Sequence, residues 1–185
     1  MFPIFISGSV DSTQDAKPPL KLFNTLTREK EMFTPLKDDY VRMYNCGPTV
    51  YDRIHIGNLR AFILADILRR AFLLNGYKVM QVMNITDVGH LTSDADDGDD
   101  KMSIAVKRLG KDVCLESMYD VATEYMEYFL EDIDALNVKR PSVIPRASEH
   151  IAGNIALIDT LLQKEYAYET SDGVYFDTGR FEGYG

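Results

Sequence analysis

Between residues 40 and 88 the spacing of apolar side chains changes twice, and no other feature limits the possible folds as much. The stretch "YVRMYNCG" (residues 40–47) alternates and is rich in strand formers. It runs into Gly47-Pro48, a turn signal. From residue 58 to 75 the period becomes helical, carried by Leu59, Phe62, Ile63, Ile67, Phe72 and Leu74, and Asn75-Gly76 is a stop signal. "YKVMQVMNITDV" (residues 77–88) then reads as a second, buried strand. Strand, helix, strand in this order predicts two parallel strands joined by a right-handed crossover. The expected fold class is therefore α/β with a parallel sheet.

The flanking segments are simpler. Residues 20–36 suggest a short strand and a turn. "GHLTSDADDGDD" (Gly89 to Asp100) is an acidic loop. It lacks the spacing and final Glu of an EF-hand, so it reads as a solvated segment. A helix is expected from Lys101, breaking near Gly110 and resuming at about Val113. Its apolar stripe is Met118, Val121, Tyr125, Phe129, Ile133 and Leu136. "KRPSVIPRAS" (residues 139–148) is a Pro-punctuated connector. The next helix runs from Ser148 to about Lys164 with Ile151, Ile155, Ile158 and Leu162 facing inward, and a hairpin turning at Ser171-Asp172-Gly173 follows. Residues 1–19 read as a flexible extension.

Composition excludes several classes. The net charge of -9 argues against bulk electrostatic binding of nucleic acid, so DNA is not an expected partner. Two cysteines, Cys46 and Cys114, are too few for a disulfide scaffold, and a reduced, cytoplasmic setting follows. No apolar run is long enough to span a bilayer, so no membrane partner is expected.

In a parallel α/β unit, ligands bind beyond the carboxyl ends of the strands. Residues 46–58 occupy that place. A helix starting near Gly57-Asn58 presents free N–H groups and a positive dipole end, suited to phosphate. His55 beside it is placed to donate to a phosphoryl oxygen as charge builds. Gly57 permits close approach to the backbone, and Asn58 is a candidate helix cap and nucleotide donor. Taken alone, these residues also describe a plain strand-turn-helix with a half-buried histidine. Cys46 alone reads as a small buried core residue.

Longer strings narrow the choice. "CGPTVYDRIHIGN" resembles the signature of the class I aminoacyl-tRNA synthetases, and among them the cysteinyl-tRNA synthetases, with HIGN where HIGH is commoner. "LKLFNTLTREKEMFTPL", "NGYKVMQVMNITDV", "ALNVKRPSVIPRASEHI" and "GVYFDTGRFEGYG" are similar to further segments of that family, in order, over nearly everything after Pro19. The resemblance implies the first half of a Rossmann-like (HUP-type) nucleotide-binding domain over residues 20–138. The start of an inserted connective domain would occupy 139–185. It implies ATP-dependent activation of cysteine and transfer to tRNA(Cys), with Mg2+ accompanying ATP and Zn2+ reading the substrate. Cys46 would be one of four zinc ligands, a soft metal choosing a thiolate over a hydroxyl. Gly47, Pro48 and Thr49, with Tyr51, would line the amino-acid pocket, and Asn84 and Thr86 would meet cysteine from the next strand. Pro48, Thr49, His55, Ile56, Gly57 and Asn58 would hold ATP, with His55 and Asn58 as the catalytic pair.

The sequence departs from that family in specific ways. The other zinc ligands, a Cys, a His and a Glu, have no counterparts here. Cys114 reads as a hydrophobe in a helix, and His90 and His150 lack ligand partners. The KMSKS motif is absent. "KMSIA" is a lookalike whose Lys101 reads as a surface residue flanking a helix. The expectation is an N-terminal fragment of a longer synthetase, inactive alone. A cysteine ligase acting on an amino sugar, as in mycothiol synthesis, is a second reading. A non-catalytic remnant binding nucleotide or a partner protein is a third.

Overall fold

The computed structural model describes residues 19–89 and 100–184. The expected N-terminal extension, apart from Pro19, lies outside them, as do His90 and the rest of the acidic loop between Gly89 and Asp100. Residues 20–36 form two strands where one was expected. β1 (Lys21–Asn24) and β2 (Glu29–Met32) pair antiparallel, with Lys21 opposite Met32. The tight turn between them puts Arg28 at φ 60°.

β3 (Tyr40–Asn45) and β4 (Lys78–Met83) run parallel, Tyr40 beside Lys78 and Asn45 beside Met83. The crossover is α1 (Ile56–Leu74). It ends at Asn75, and Gly76 takes φ 75°, a left-handed conformation that costs a residue without Cβ little.

Residues 139–148 do more than connect. Val143 bridges Val82 and Arg146 bridges Ile85, both in parallel, so this segment adds a third row beside β4. Met83 N–H donates to the Val143 carbonyl at 3.1 Å and Ile85 N–H to the Pro145 carbonyl at 2.8 Å. The prolines that made it read as a connector lack N–H groups but still accept. The buried Gln81 side chain is hydrogen bonded at both its nitrogen and its oxygen. It donates to Asn45 Oδ1 at 2.9 Å and accepts from Arg69 Nη1 at 3.2 Å.

Two apolar clusters hold these layers. Val41, Met43 and Phe72 pack with Leu22, Phe33 and Tyr77. Phe62, Met83 and Ile85 pack with Met102 and Val106 of α2 (Lys101–Arg108) and with Val121, Phe129 and Ile133 of α3 (Leu115–Ala135). Burial of each large side chain contributes about 1.5–3 kcal/mol. Of the expected α3 stripe, Leu136 falls past the helix end and is exposed. Cys114 is also misplaced by the sequence reading. It is exposed, caps α3 and accepts from Ser117 N–H at 3.4 Å. Hydrogen bonds from the Ser117 hydroxyl and then its N–H hold the Cys114 thiol below its ordinary pKa.

A 3₁₀ turn (Ala147–His150) leads into α4 (Ile151–Gln163), then β5 (Ala167–Glu169) and β6 (Val174–Phe176). The hairpin turns where expected, Thr170 N–H donating to the Gly173 carbonyl at 2.8 Å. The inward-facing stripe of α4 is corrected: Ile151, Ile155 and Ile158 are 48%, 54% and 40% exposed. The helix packs mainly on the preceding 3₁₀ turn and β5, which leaves about half of each of these side chains exposed. No helix among the described residues is long and apolar enough to cross a membrane.

Candidate active site

The site begins where β3 and β4 end. Their pairing continues past both strands through a parallel bridge between Thr49 and Thr86. Val50 N–H donates to the Thr86 carbonyl at 3.2 Å, and Thr86 N–H to the Pro48 carbonyl at 3.0 Å. Gly47 explains how the chains come so close. A Cβ there would lie 1.7 Å from the Asn84 carbonyl oxygen. The Gly47 N–H donates to Asn84 Oδ1 at 3.2 Å, and Asn84 Nδ2 donates to Thr86 Oγ1 at 3.1 Å. The residues expected to meet cysteine thus brace one another.

The helix start differs from expectation. His55, not Asn58, is the N-cap of α1. Its Nδ1 accepts the Gly57 N–H at 3.0 Å, and Asn58 Oδ1 accepts the His55 N–H at 3.4 Å. The ring can do this because Gly57 lacks a Cβ, which would sit 2.8 Å from His55 Cε1. With Nδ1 accepting, a neutral ring carries its proton on Nε2 and is a donor there. The glycine that was expected to admit a ligand admits this imidazole.

A cavity of about 360 Å³ opens at this place. Gly47, Pro48, Thr49, Tyr51, His55 and Asn58 share its wall. Ile56, Gly57, Asn84, Thr86 and Cys46 do not line it, and Ile56 is 75% exposed. Sequence reasoning missed three charged groups that do: Asp52, Arg53 and Lys101. The loop carrying the first two is tied down. Arg108 donates to Asp52 Oδ2 at 2.8 Å and to the Tyr51 carbonyl at 3.1 Å. The Arg108 hydrogen bond holds the Asp52 carboxyl below the usual range. Arg53 lies 4.0 Å over the Tyr128 ring and 3.7 Å from Asp132. Lys101 is half-buried, its ammonium 5.4 Å from the centre of the Tyr51 ring. The expectation of a helix-flanking surface residue is corrected.

Behind the strand ends sits a buried ion pair. Asp87 Oδ2 accepts from Arg146 Nε at 2.8 Å and from the Ser148 hydroxyl at 2.6 Å, and Oδ1 accepts the Ser148 N–H at 2.9 Å. Burial pushes the Asp87 carboxyl up. The Ser148 and Arg146 hydrogen bonds more than offset this and hold it below its ordinary value.

Cys46 follows β3 directly and is exposed, which corrects the buried-core reading of this residue. Among the described residues no group of three or more His, Cys, Asp and Glu is arranged to hold a metal. One thiolate is not a zinc site, and these residues do not by themselves fit a zinc ion.

Comparison with known proteins agrees with this architecture. A putative arginyl-tRNA synthetase from Campylobacter jejuni superposes with a TM-score of 0.52 at 12% identity, over 79% of this chain and 39% of that one. That likeness shows the fold alone: an α/β fold shared with an aminoacyl-tRNA synthetase. The sequence goes further, since residues 32–185 match the family of tRNA synthetases class I (C) catalytic domains. The chain belongs to that family. It is 51% identical over 167 residues to cysteine--tRNA ligase 1 of Burkholderia lata, covering 90% of this chain and 34% of that protein. It is 46% identical over 175 residues to cysteine--tRNA ligase of Deinococcus radiodurans, covering 95% of this chain and 34% of that protein. The chain spans about a third of the length of the curated relatives it matches.

Proposed function

We propose that this chain is the N-terminal part of a cysteine–tRNA ligase and forms the nucleotide side of its active site. One observation carries the reading: His55 and Asn58 share a single cavity with Pro48 and Thr49 at the carboxyl ends of two parallel strands. Residues 20–138 are proposed as the first half of a Rossmann-like domain, with an inserted connective domain starting within 139–185. Residues 1–19 would be an extension. The reaction has two steps. A carboxylate oxygen of cysteine attacks the α-phosphorus of ATP, and the bond to the β-phosphate breaks to release pyrophosphate. The terminal hydroxyl of tRNA(Cys) then takes the cysteinyl group and AMP leaves. Mg2+ accompanies the triphosphate, and the setting is the cytoplasm.

The residues act by position and charge. The His55 Nε2–H donates to the α-phosphoryl group as negative charge grows there. Asn58 adds an amide donor, and the start of α1 adds its dipole. Ile56 and Gly57 contribute backbone at that helix start. Gly47 brings the backbone close to the amino acid, with Tyr51, Asn84 and Thr86 around it. Cys46 is proposed as one ligand of a zinc ion, its remaining ligands not being among the described residues. Family resemblance and the exposed thiol support that role.

The test is cysteine-dependent exchange of pyrophosphate into ATP by the complete protein that carries this sequence, followed by charging of tRNA. Cysteine is expected to support exchange and serine is not. The 185-residue chain alone is expected to be inactive. In the complete protein Cys46→Ser is expected to lose bound zinc and the preference for cysteine. In the isolated chain the same change should leave the urea midpoint unmoved, because the thiol is exposed. A complete protein that shows no exchange with cysteine ends this reading.

A further inference from the structure

We propose that the Lys101 ammonium is a further substrate contact in this cavity and binds the triphosphate of the nucleotide. The proposal rests on the nucleotide reading above and adds a residue from a separate element. Lys101 is the first residue of α2 and lines the same cavity as His55 and Asn58. Of the residues placed around the amino acid, Gly47, Thr49 and Tyr51 line it as well, whereas Asn84, Thr86 and Cys46 do not. Lys101 thus shares a wall with His55 and Asn58, the donors suited to phosphate.

Its mounting is rigid. Met102, Ala105 and Val106 anchor α2 in the core at 1% exposure or less. Two turns further on, Arg108 fastens the same helix to the Tyr51 carbonyl and the Asp52 carboxylate. Helix and loop thus form one unit, and the Tyr51 ring lies 5.4 Å from the Lys101 ammonium. A cation over an aromatic face is attracted to the ring and held in place by it. A compact ammonium with three donors suits the clustered oxygens of a triphosphate.

The experiment is calorimetric titration of the chain with magnesium ATP and, separately, with adenosine, for wild type, Lys101→Met and Lys101→Arg. Lys101→Met keeps an apolar stem over Tyr51 and removes the charge. It is expected to weaken ATP about tenfold, as for loss of a charged hydrogen bond, with adenosine unchanged and Lys101→Arg near wild type. Equal ATP affinity in Lys101→Met overturns the proposal. So does an equal loss for adenosine, which marks a structural role, and so does a wild-type chain that binds no ATP. Binding requires neither cysteine activation nor tRNA. Failure of the ligase reading shows instead as absent pyrophosphate exchange by the complete wild-type protein.

Discussion

Replacing Arg146 by Met removes the cation from the buried Asp87 pair while keeping an unbranched apolar stem against Tyr119, whose ring lies 4.3 Å from the guanidinium. The pair is almost wholly out of water, with side chains 8% and 2% exposed. Removing one partner of such a pair costs about 3–5 kcal/mol because the other charge stays buried. Two features move the value toward the lower end. Ser148 still donates twice to Asp87. The substitution also removes Arg146 Nη2, a buried group without a hydrogen-bond partner among the described residues. The expected loss is about 3 kcal/mol at pH 7, read from urea unfolding. Its pH dependence follows from Asp87. The folded carboxyl lies below its unfolded value of about 3.9, so wild type holds this stability above that pH and loses it as pH falls through the depressed value. Without Arg146, burial weighs more and the folded carboxyl rises. The gap between variant and wild type is then widest at neutral pH and narrows toward pH 4, where a protonated Asp87 needs no cation. A loss under about 1 kcal/mol, or a gap constant from pH 7 to pH 4.5, refutes the reasoning.

Other substitutions separate packing from chemistry. Gly47→Ala sets a Cβ against the backbone carbonyl of Asn84, which cannot swing aside. It should destabilise by about 1–3 kcal/mol in urea melts and part the two strand ends. Gly57→Ala meets only the His55 ring, so it should keep the fold and lower cysteine-dependent pyrophosphate exchange in the complete protein. Equal unfolding midpoints for the two glycine variants would contradict the geometry. His55→Ala loses a cap worth about 1 kcal/mol and His55→Asn retains one. Both should reduce exchange by about 10²–10³-fold. An Asn variant that regains activity along with stability would reduce His55 to a cap.

The parallel crossover was legible because period alone distinguishes strand from helix, and Asn75-Gly76 marks the stop chemically. What stayed hidden depended on partners. The apolar period of α4 was plain, but a period names a face and not what covers it, and Ile151, Ile155 and Ile158 are exposed. Pro141 and Pro145 made residues 139–148 look like a linker. A parallel edge needs acceptors at alternate positions, and the Val143 and Pro145 carbonyls serve. The HIGN string marked the helix start but not its cap. A histidine caps rarely, and here it does so because Gly57 is bare on the side where the ring lies. Lys101 was invisible as a cavity residue since nothing local to "KMSIA" says that Tyr51, fifty residues earlier, lies beside it.

The ladder beyond β3 and β4 joins these observations. Thr86 is hydrogen bonded through its backbone to Pro48 and Val50 on one side, while its neighbour Asp87 is anchored to Arg146 and Ser148 on the other. Thr49, on the cavity wall, is bridged to Thr86. A shift at Asp87 therefore reaches the cavity through two covalent neighbours and one backbone pair, with no flexible side chain between. If the wall is set this way, Arg146→Met should weaken ATP binding at urea concentrations where the variant is still folded, although Arg146 does not line the cavity. Asp87→Asn combined with Arg146→Met leaves no buried charge and should recover stability before it recovers affinity. Geometry, and not the ion pair's energy, is what the ladder transmits.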